Sequence, residues 1–376
     1  MTRLDLTGLT TRPAQVWGGV RLVPLVREQP LTDLRLRHEL FEDALLAVEA
    51  DKNSYYTAYI PHGFVADWTK DGSPAAAYGT QLCDDEPVHA VPMRRLVQRA
   101  GSQRLRFLPL HLALEGYLAL HFGGPSVLWD EWSRRAIRKG LTPRAEMAYA
   151  GSQVQGLDDA LRIFEIHPGQ CGLMLYVADA LAAAFVVPHP DDYRALHATL
   201  LQDMYGELVY QHAHYGGPVP EFTAKIPDSP QLTTLAALRE AARGQERAWA
   251  TAHDTQLANG LLDESYEFDR LRRMGRYRLA RFLPPFERQR EQHIGEVITD
   301  LKGRVAYLKT IRLTENQIRR GHLLSQLARH DWNLADTAHA LGATPVELVR
   351  RIRAAGFDGM LKRHVVEAAQ RGHWEG

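Results

Sequence analysis

Residues 333–357 read NLADTAHALGATPVELVRRIRAAGF. The stretch predicts two short helices joined by a tight turn. Asn333 suits an N-cap, and Leu334, Ala338 and Leu341 fall on one helical face. Gly342 ends the first helix in the left-handed conformation that favours glycine. Thr344, Pro345 and Glu347 form a capping box with proline at the first helical position. Leu348, Val349 and Ile352 then face inward and leave Arg350, Arg351 and Arg353 outside. A small residue four before the glycine and an apolar one six after it is helix-turn-helix spacing, here Ala338, Gly342 and Leu348.

Upstream of this pair the reading stays helical. Thr314 and Gln317 make another capping box and start a helix over Ile318–His330. Ile294, Val297, Ile298, Leu301, Val305 and Leu308 recur near a heptad and predict one long helix over Phe286–Arg312, with an apolar stripe suited to core packing or a dimer seam. Phe268–Phe282 and Leu232–Arg247 read as amphipathic helices. The Gly216–Pro220 and Ile226–Pro230 stretches punctuate a boundary. The expected architecture is an α+β N-terminal domain over 1–225 and an all-α C-terminal region. The latter divides into a helical connector suited to dimerisation (226–313) and a helix-turn-helix bundle (314–376).

Within the N-terminal domain, Val16–Val26 predicts a strand or hairpin about Gly18-Gly19, and Tyr55–Leu82 a second hairpin through Asp71-Gly72. Leu40–Val48 and Leu128–Lys139 read as helices, Val91–Leu110 ends in a strand, and His111–Phe122 suits strand and turn. Ala160–Ile166 and Gly172–Val177 look like two strands about His167-Pro168-Gly169. Asp191-Asp192 opens a helix over Tyr193–Tyr210.

Lys+Arg and Asp+Glu both number 45, so net charge says little about partners. Its distribution says more: residues 1–264 hold 24 basic against 32 acidic residues, and 265–376 hold 21 against 13. The basic excess thus lies in the half that carries the helix pair, as polyanion binding requires. Two cysteines, Cys83 and Cys171, make no disulfide framework and point to a reducing cytoplasm. The opening MTRLDLTGLTTRPAQ has no apolar signal core. The longest apolar run, Leu173–Val187, is 15 residues and contains Asp179, so it predicts buried core and no membrane association.

Candidate chemistry is sparse. Glu165, His167 and Gln170 set a carboxylate, an imidazole and an amide at one strand end, a set able to do acid–base work or simply to shape a turn. Tyr56, Tyr59 and His62 form a similar group. His212 and His214 could hold a metal with a distant third ligand among His189, Asp191 and Asp192, or could simply favour a helix C-terminus. No Walker A loop, GxGxxG, GxSxG, HExxH or paired CxxC occurs, so no cofactor is expected from motif.

Two resemblances sharpen this. The segment from Leu323-Leu324 through Trp332-Asn333-Leu334 to Leu348, Ile352 and Gly356-Phe357 resembles the Fis-type helix-turn-helix domain. That resemblance implies a dimerising helical bundle whose recognition helix is Thr344–Ala354, with Thr344, Glu347, Arg350 and Arg351 toward DNA. The acidic Glu347 departs from it and suits the cap instead. The N-terminal domain is similar to the ARPP family, the ADP-ribosylglycohydrolase and rhodanese-phosphatase associated domain of bacteria. The likeness lies in VWGGVRLVPL (16–25), ALRIFEIHPGQCG (160–172) and HPDDYRALHATLLQDMYGELVYQHA (189–213). It implies a link to ADP-ribose removal in stress or conflict systems and transfers no site residue.

Three functions follow as expectations. The first is a cytoplasmic DNA-binding or regulatory homodimer whose N-terminal domain senses a small molecule or protein. The second is an enzyme or accessory subunit acting on ADP-ribose-linked or nucleotide substrates through Glu165, His167, Gln170, His189, Asp191, Asp192, His212 and His214. The third is a scaffold whose helix pair contacts protein only.

Overall fold

The computed structural model describes residues 2–39, 45–51, 54–59, 63–67, 76–78, 156–223, 225, 226, 228, 230 and 232–371. The expectations for 91–110, 111–122 and 128–139, with the Asp71-Gly72 turn, His62 and Cys83, lie outside these residues.

One antiparallel sheet organises the chain. Its strands are β1 (Leu9–Thr11), β2 (Gln15–Trp17), β3 (Val20–Arg27), β9 (Gln170–Val177), β10 (Ala180–Val186), β11 (Glu267–Met274), β12 (Tyr277–Leu283), β13 (His293–Thr299) and β14 (Val305–Arg312). They run in the order β1-β3-β9-β10-β14-β13-β12-β11, with β2 paired to β3. Among the described residues, five short strands lie between β3 and β9 in the chain: β4 (Arg35–Glu39), β5 (Leu45–Asp51), β6 (Ser54–Tyr59), β7 (Gly63–Asp67) and β8 (Ala76–Tyr78). They form a β4-β7-β8 sheet and a β5-β6 hairpin.

The helices are α1 (Leu157–Ala160), α2 (Pro190–Tyr215), α3 (Leu235–Ala252), α4 (Asn259–Leu262), α5 (Glu315–Arg329), α6 (Leu334–Ala340), α7 (Pro345–Ala354) and α8 (Arg363–Arg371). A π-helical segment, His253–Leu257, extends α3.

The mixed α+β class holds, but the helical reading of 265–313 is corrected. Phe268–Phe282 is the β11–β12 hairpin, and Phe286–Arg312 contains β13 and β14. Strands buried on both faces lose their period-two alternation and read as apolar runs. Every residue from Ile294 to Ile298 and from Val305 to Leu308 is buried, so helical and strand periodicities both fit. The discriminating signal was the turn: Asp300 accepts from the backbone of Lys302 and Arg304, and Gly303 has φ of 87°. Of the two roles expected for the stripe, core packing or a dimer seam, most of its residues are sheet core. Leu40–Val48 is corrected similarly, with β5 covering its described part, and Ala160–Ile166 ends α1 and makes a 3-10 turn in place of a strand.

Elsewhere the local reading holds. The Gly18-Gly19 hairpin joins β2 to β3. Gly18 has φ of 56°, and a Cβ there would collide with the Ala213 carbonyl at the end of α2, while Gly19 N–H donates to the His212 carbonyl at 2.9 Å. The apolar run 173–187 is core, folded as β9 and β10 about the two-residue turn Ala178-Asp179, both at positive φ.

Two cores result. The larger spans β3, β9, β10, β12, β13, β14, α2 and α4. The smaller joins the strand ends Leu283, Ile294 and Ile311 to Phe286, Leu324, Leu327, Ala338, Leu348, Ile352 and Phe357, which seats the C-terminal helices on the sheet.

Candidate functional site

The turn before β9 and the first turns of α2 come together. Gln170 is fully buried, its carbonyl oxygen accepts from His167 N–H at 2.9 Å, and its amide donates to Tyr193 Oη at 3.0 Å. Tyr193 Oη lies 2.8 Å from His197 Nδ1. Because the amide supplies one hydrogen to the phenol, the phenol's own hydrogen goes to Nδ1, and the imidazole proton sits on Nε2. That Nε2 is buried without a hydrogen-bond partner. Burial pulls the His197 pKa down to about 4 and pushes the Tyr193 phenol well above its usual range. Cys171 follows Gln170, and burial pushes its thiol up to about 11, which keeps it protonated and unreactive at neutral pH.

The carboxylates expected to work beside Gln170 are otherwise engaged. Asp192 is buried and clamped by Arg35 in a two-point ion pair of 2.9 and 2.7 Å. His189 caps α2, its Nδ1 accepting from Asp191 N–H at 3.2 Å, and Asp191 is exposed. Glu165 is exposed, and its backbone is held on both sides by the Gln15 amide. Gln170 and the start of α2 are therefore adjacent, while Glu165, Asp191 and Asp192 do not converge on it.

His212 and His214 lie in the last turn of α2. The His212 carbonyl receives Gly19 and Gly216, and the exposed His214 ring sits edge-on to Trp17 at 5.1 Å. Among the described residues no group of three or more His, Cys, Asp or Glu could hold a metal.

A second relay was missed in the sequence. Where α3 becomes π-helical, His253 places Nε2 2.7 Å from Tyr176 Oη and Nδ1 2.7 Å from Asp254 Oδ1. An ionised Asp254 only accepts, so Nδ1 donates to it and Nε2 accepts the Tyr176 hydrogen. Trp249 stacks on the imidazole at 5.1 Å. Burial raises the Tyr176 pKa, and Asp254 raises it further. The order Asp–His–Tyr can move a proton, but Tyr176 and His253 are both buried inside the sheet core. Single-turn helix distortions of this kind frequently mark functional positions. The available signals were the i,i+4 spacings Trp249/His253 and Tyr193/His197, which stack side chains on one helix face.

A third group lies across the strands. Arg281, Glu296 and Lys309 are register neighbours on β12, β13 and β14. Neither Glu296 oxygen accepts a hydrogen bond, and burial raises its pKa to about 7 against the pull of both cations.

The surface arrangement differs. The Thr344 hydroxyl accepts from Glu347 N–H, and the Glu347 carboxylate accepts from Thr344 N–H at 2.9 Å. Those backbone and hydroxyl contacts, then Arg351 and Arg350, hold the Glu347 pKa below its ordinary value. Arg350, Arg351 and Arg353 are exposed and make no ion pair within 4 Å among the described residues. The charge expectation needs correction here. Residues 265–313, which fold mainly as strands, hold 12 basic against 6 acidic residues, while 314–376 hold 9 against 7.

A family model described as ARPP-2 matches residues 4–275, from the segment before β1 to the β11–β12 turn. No curated protein and no solved structure matches the chain.

Proposed function

The chain belongs to the ARPP-2 family, and we propose that it is a DNA-binding regulatory protein whose sheet carries a C-terminal helix-turn-helix. One observation carries the reading: Arg350, Arg351 and Arg353 project from α7, exposed, and among the described residues make no ion pair within 4 Å. Their helix starts at a complete capping box and buries Leu348, Val349 and Ile352, with Leu348 and Ile352 in one core with α5 and α6. In this reading Thr344 and Glu347 set the pitch and start of α7, and Arg350 and Arg351 meet phosphate and base edges. The link to ADP-ribose belongs to the sheet, as the property sensed. The burial of Tyr193, His197, Tyr176 and His253 favours sensing over turnover in this reading, with the Asp254 carboxylate the one partly exposed member of the Tyr176 relay.

Titration of a labelled DNA duplex by fluorescence anisotropy tests this. Arg350→Ala/Arg351→Ala should weaken binding at low salt and reduce the slope of log K against log salt by roughly 2, at about 0.9 per phosphate contact. An unchanged titration by the double variant removes the reading.

A further inference from the structure

Among the described residues β11 is the outermost strand, and it turns into β12 at Gly275, whose φ is 57°. The register sets Arg273 directly opposite Arg278, and Arg270 opposite Ala280. Arg278 and Ala280 are two residues apart on β12, so Arg270, Arg273 and Arg278 share one face of the hairpin. All three are exposed. Arg273 donates from Nε to the Gly275 carbonyl at 3.4 Å, and among the described residues no carboxylate pairs with any of the three. Their neighbours are treated differently: Arg276 is held by Asp33 at 2.6 Å, and Arg281 by Asp269 at 3.5 Å.

Like charges directly opposite on paired strands are destabilising. Successive rungs on one face lie about 7 Å apart, inside the screening length of about 8 Å at physiological salt. The three guanidinium groups therefore repel one another unless an anion bridges them. Charges on an outer strand also prevent edge-to-edge aggregation. That explains Arg270 and Arg273 but not Arg278, because β12 is paired on both sides and has no free edge.

We propose that the Arg270/Arg273/Arg278 face of the β11–β12 hairpin binds the phosphate backbone of a nucleic acid. Charge complementarity and the unrelieved Arg273–Arg278 opposition argue for a polyanion over a single small anion. This surface is distinct from α7. The C-terminal helices are seated at the Leu283, Ile294 and Ile311 ends of β12, β13 and β14. The hairpin turn lies at the other end of β12, about 20 Å away along the strand. The inference does not depend on the reading of Arg350 and Arg351.

The test uses the full chain and a labelled DNA duplex over a salt series. Arg270→Gln/Arg273→Gln/Arg278→Gln should lower affinity at low salt at least about tenfold and reduce the log–log salt slope by up to about 3. Its melting temperature should hold or rise, since repulsion is relieved. Arg273→Glu gives an independent arm: it faces Arg278 with a carboxylate, so it should keep or raise thermal stability while weakening DNA binding. Unchanged affinity and slope in both folded variants overturn the proposal. The Arg350→Ala/Arg351→Ala variant, run in parallel, separates the two surfaces. Loss confined to that variant overturns the hairpin proposal, and loss confined to the hairpin variants supports it and removes the α7 reading. Polyglutamate binding that exceeds DNA binding and needs the three arginines also overturns it, in favour of an acidic protein partner.

Discussion

The sheet and the C-terminal helices place their polar chemistry in opposite ways. In and against the sheet, Gln170, Tyr193, His197, Tyr176, His253 and Glu296 are buried, and the Gln170–Tyr193 and Tyr176–His253 pairings cross long stretches of chain. In the helices over 314–371, the main polar devices are local. Asn333 accepts from Ala335 and Asp336, Thr314 pairs with Gln317, and Thr344 pairs with Glu347, each within four residues. Buried groups have their proton affinities moved by desolvation, whereas exposed caps act mainly through hydrogen bonds and helix dipoles. The buried groups in and against the sheet should therefore set most of how stability responds to pH, and the helix caps should contribute less.

The contrast breaks most readily where the two regions meet. Phe286 is buried, has φ of 56°, and lies against Gly321 of α5, where a Cβ would strike its ring. Phe286→Ala should destabilise the chain by about 4 kcal/mol, read as a lowered denaturation midpoint. Loss of near-ultraviolet signal from Trp332 in the same transition as the sheet would show that the two cores unfold as one.

Two buried groups then sharpen it through pH, with opposite signs. Glu296 binds its proton more tightly in the folded state, so wild-type stability falls as pH rises from about 4.5 to about 7. Glu296→Gln should remove that loss and stabilise the protein by about 3 kcal/mol above pH 7. Urea midpoints across this range measure it, and a variant no more stable at pH 8 would sink the assignment. His197 binds its proton less tightly when folded, so stability falls as pH drops from about 6.5 to about 4. His197→Leu should abolish about 3 kcal/mol of that acid loss, although its stability at neutral pH drops because Tyr193 loses an acceptor. Burial also lowers the His293 pKa, so a residual acid loss remains.

The smaller effects fall on the helices. Thr344→Ala removes one half of a capping box and should cost about 1 kcal/mol at neutral pH, and less in acid, because the hydroxyl also helps hold the Glu347 pKa down. Arg350→Ala/Arg351→Ala should leave folding stability within about 0.5 kcal/mol of wild type, because neither exposed side chain makes an ion pair within 4 Å among the described residues.

How much was legible follows the same division. The caps at Thr314, Asn333 and Thr344 and the left-handed Gly342 were readable because each is decided within a few residues. The Gly18-Gly19 hairpin was readable for the same reason. His167 and Gln170 were read at one turn and Asp191 and Asp192 at one helix start, each from neighbours in the chain. Their roles were not readable, because Arg35 and Tyr193 decide what Asp192 and Gln170 touch. The strands β11–β14 were misread as helices because burial on both faces removes alternation from β12–β14, and the Asp300–Gly303 and Gly275 turns were given too little weight.

By itself, then, the sequence determined the local stops and starts: capping boxes, tight turns, the apolar core run 173–187, and a basic excess after residue 264. Tertiary structure alone decided that most of this excess lies on the β11–β14 strands and the turns between them, that Arg273 faces Arg278, and that Glu296 is sealed beside Arg281 and Lys309. The physical reason is range. A cap or a turn is a contest among neighbouring backbone groups, settled within about one helical turn. Strand register and burial depend on partners far along the chain, and a shift of one residue would turn every side chain of a strand to the other face.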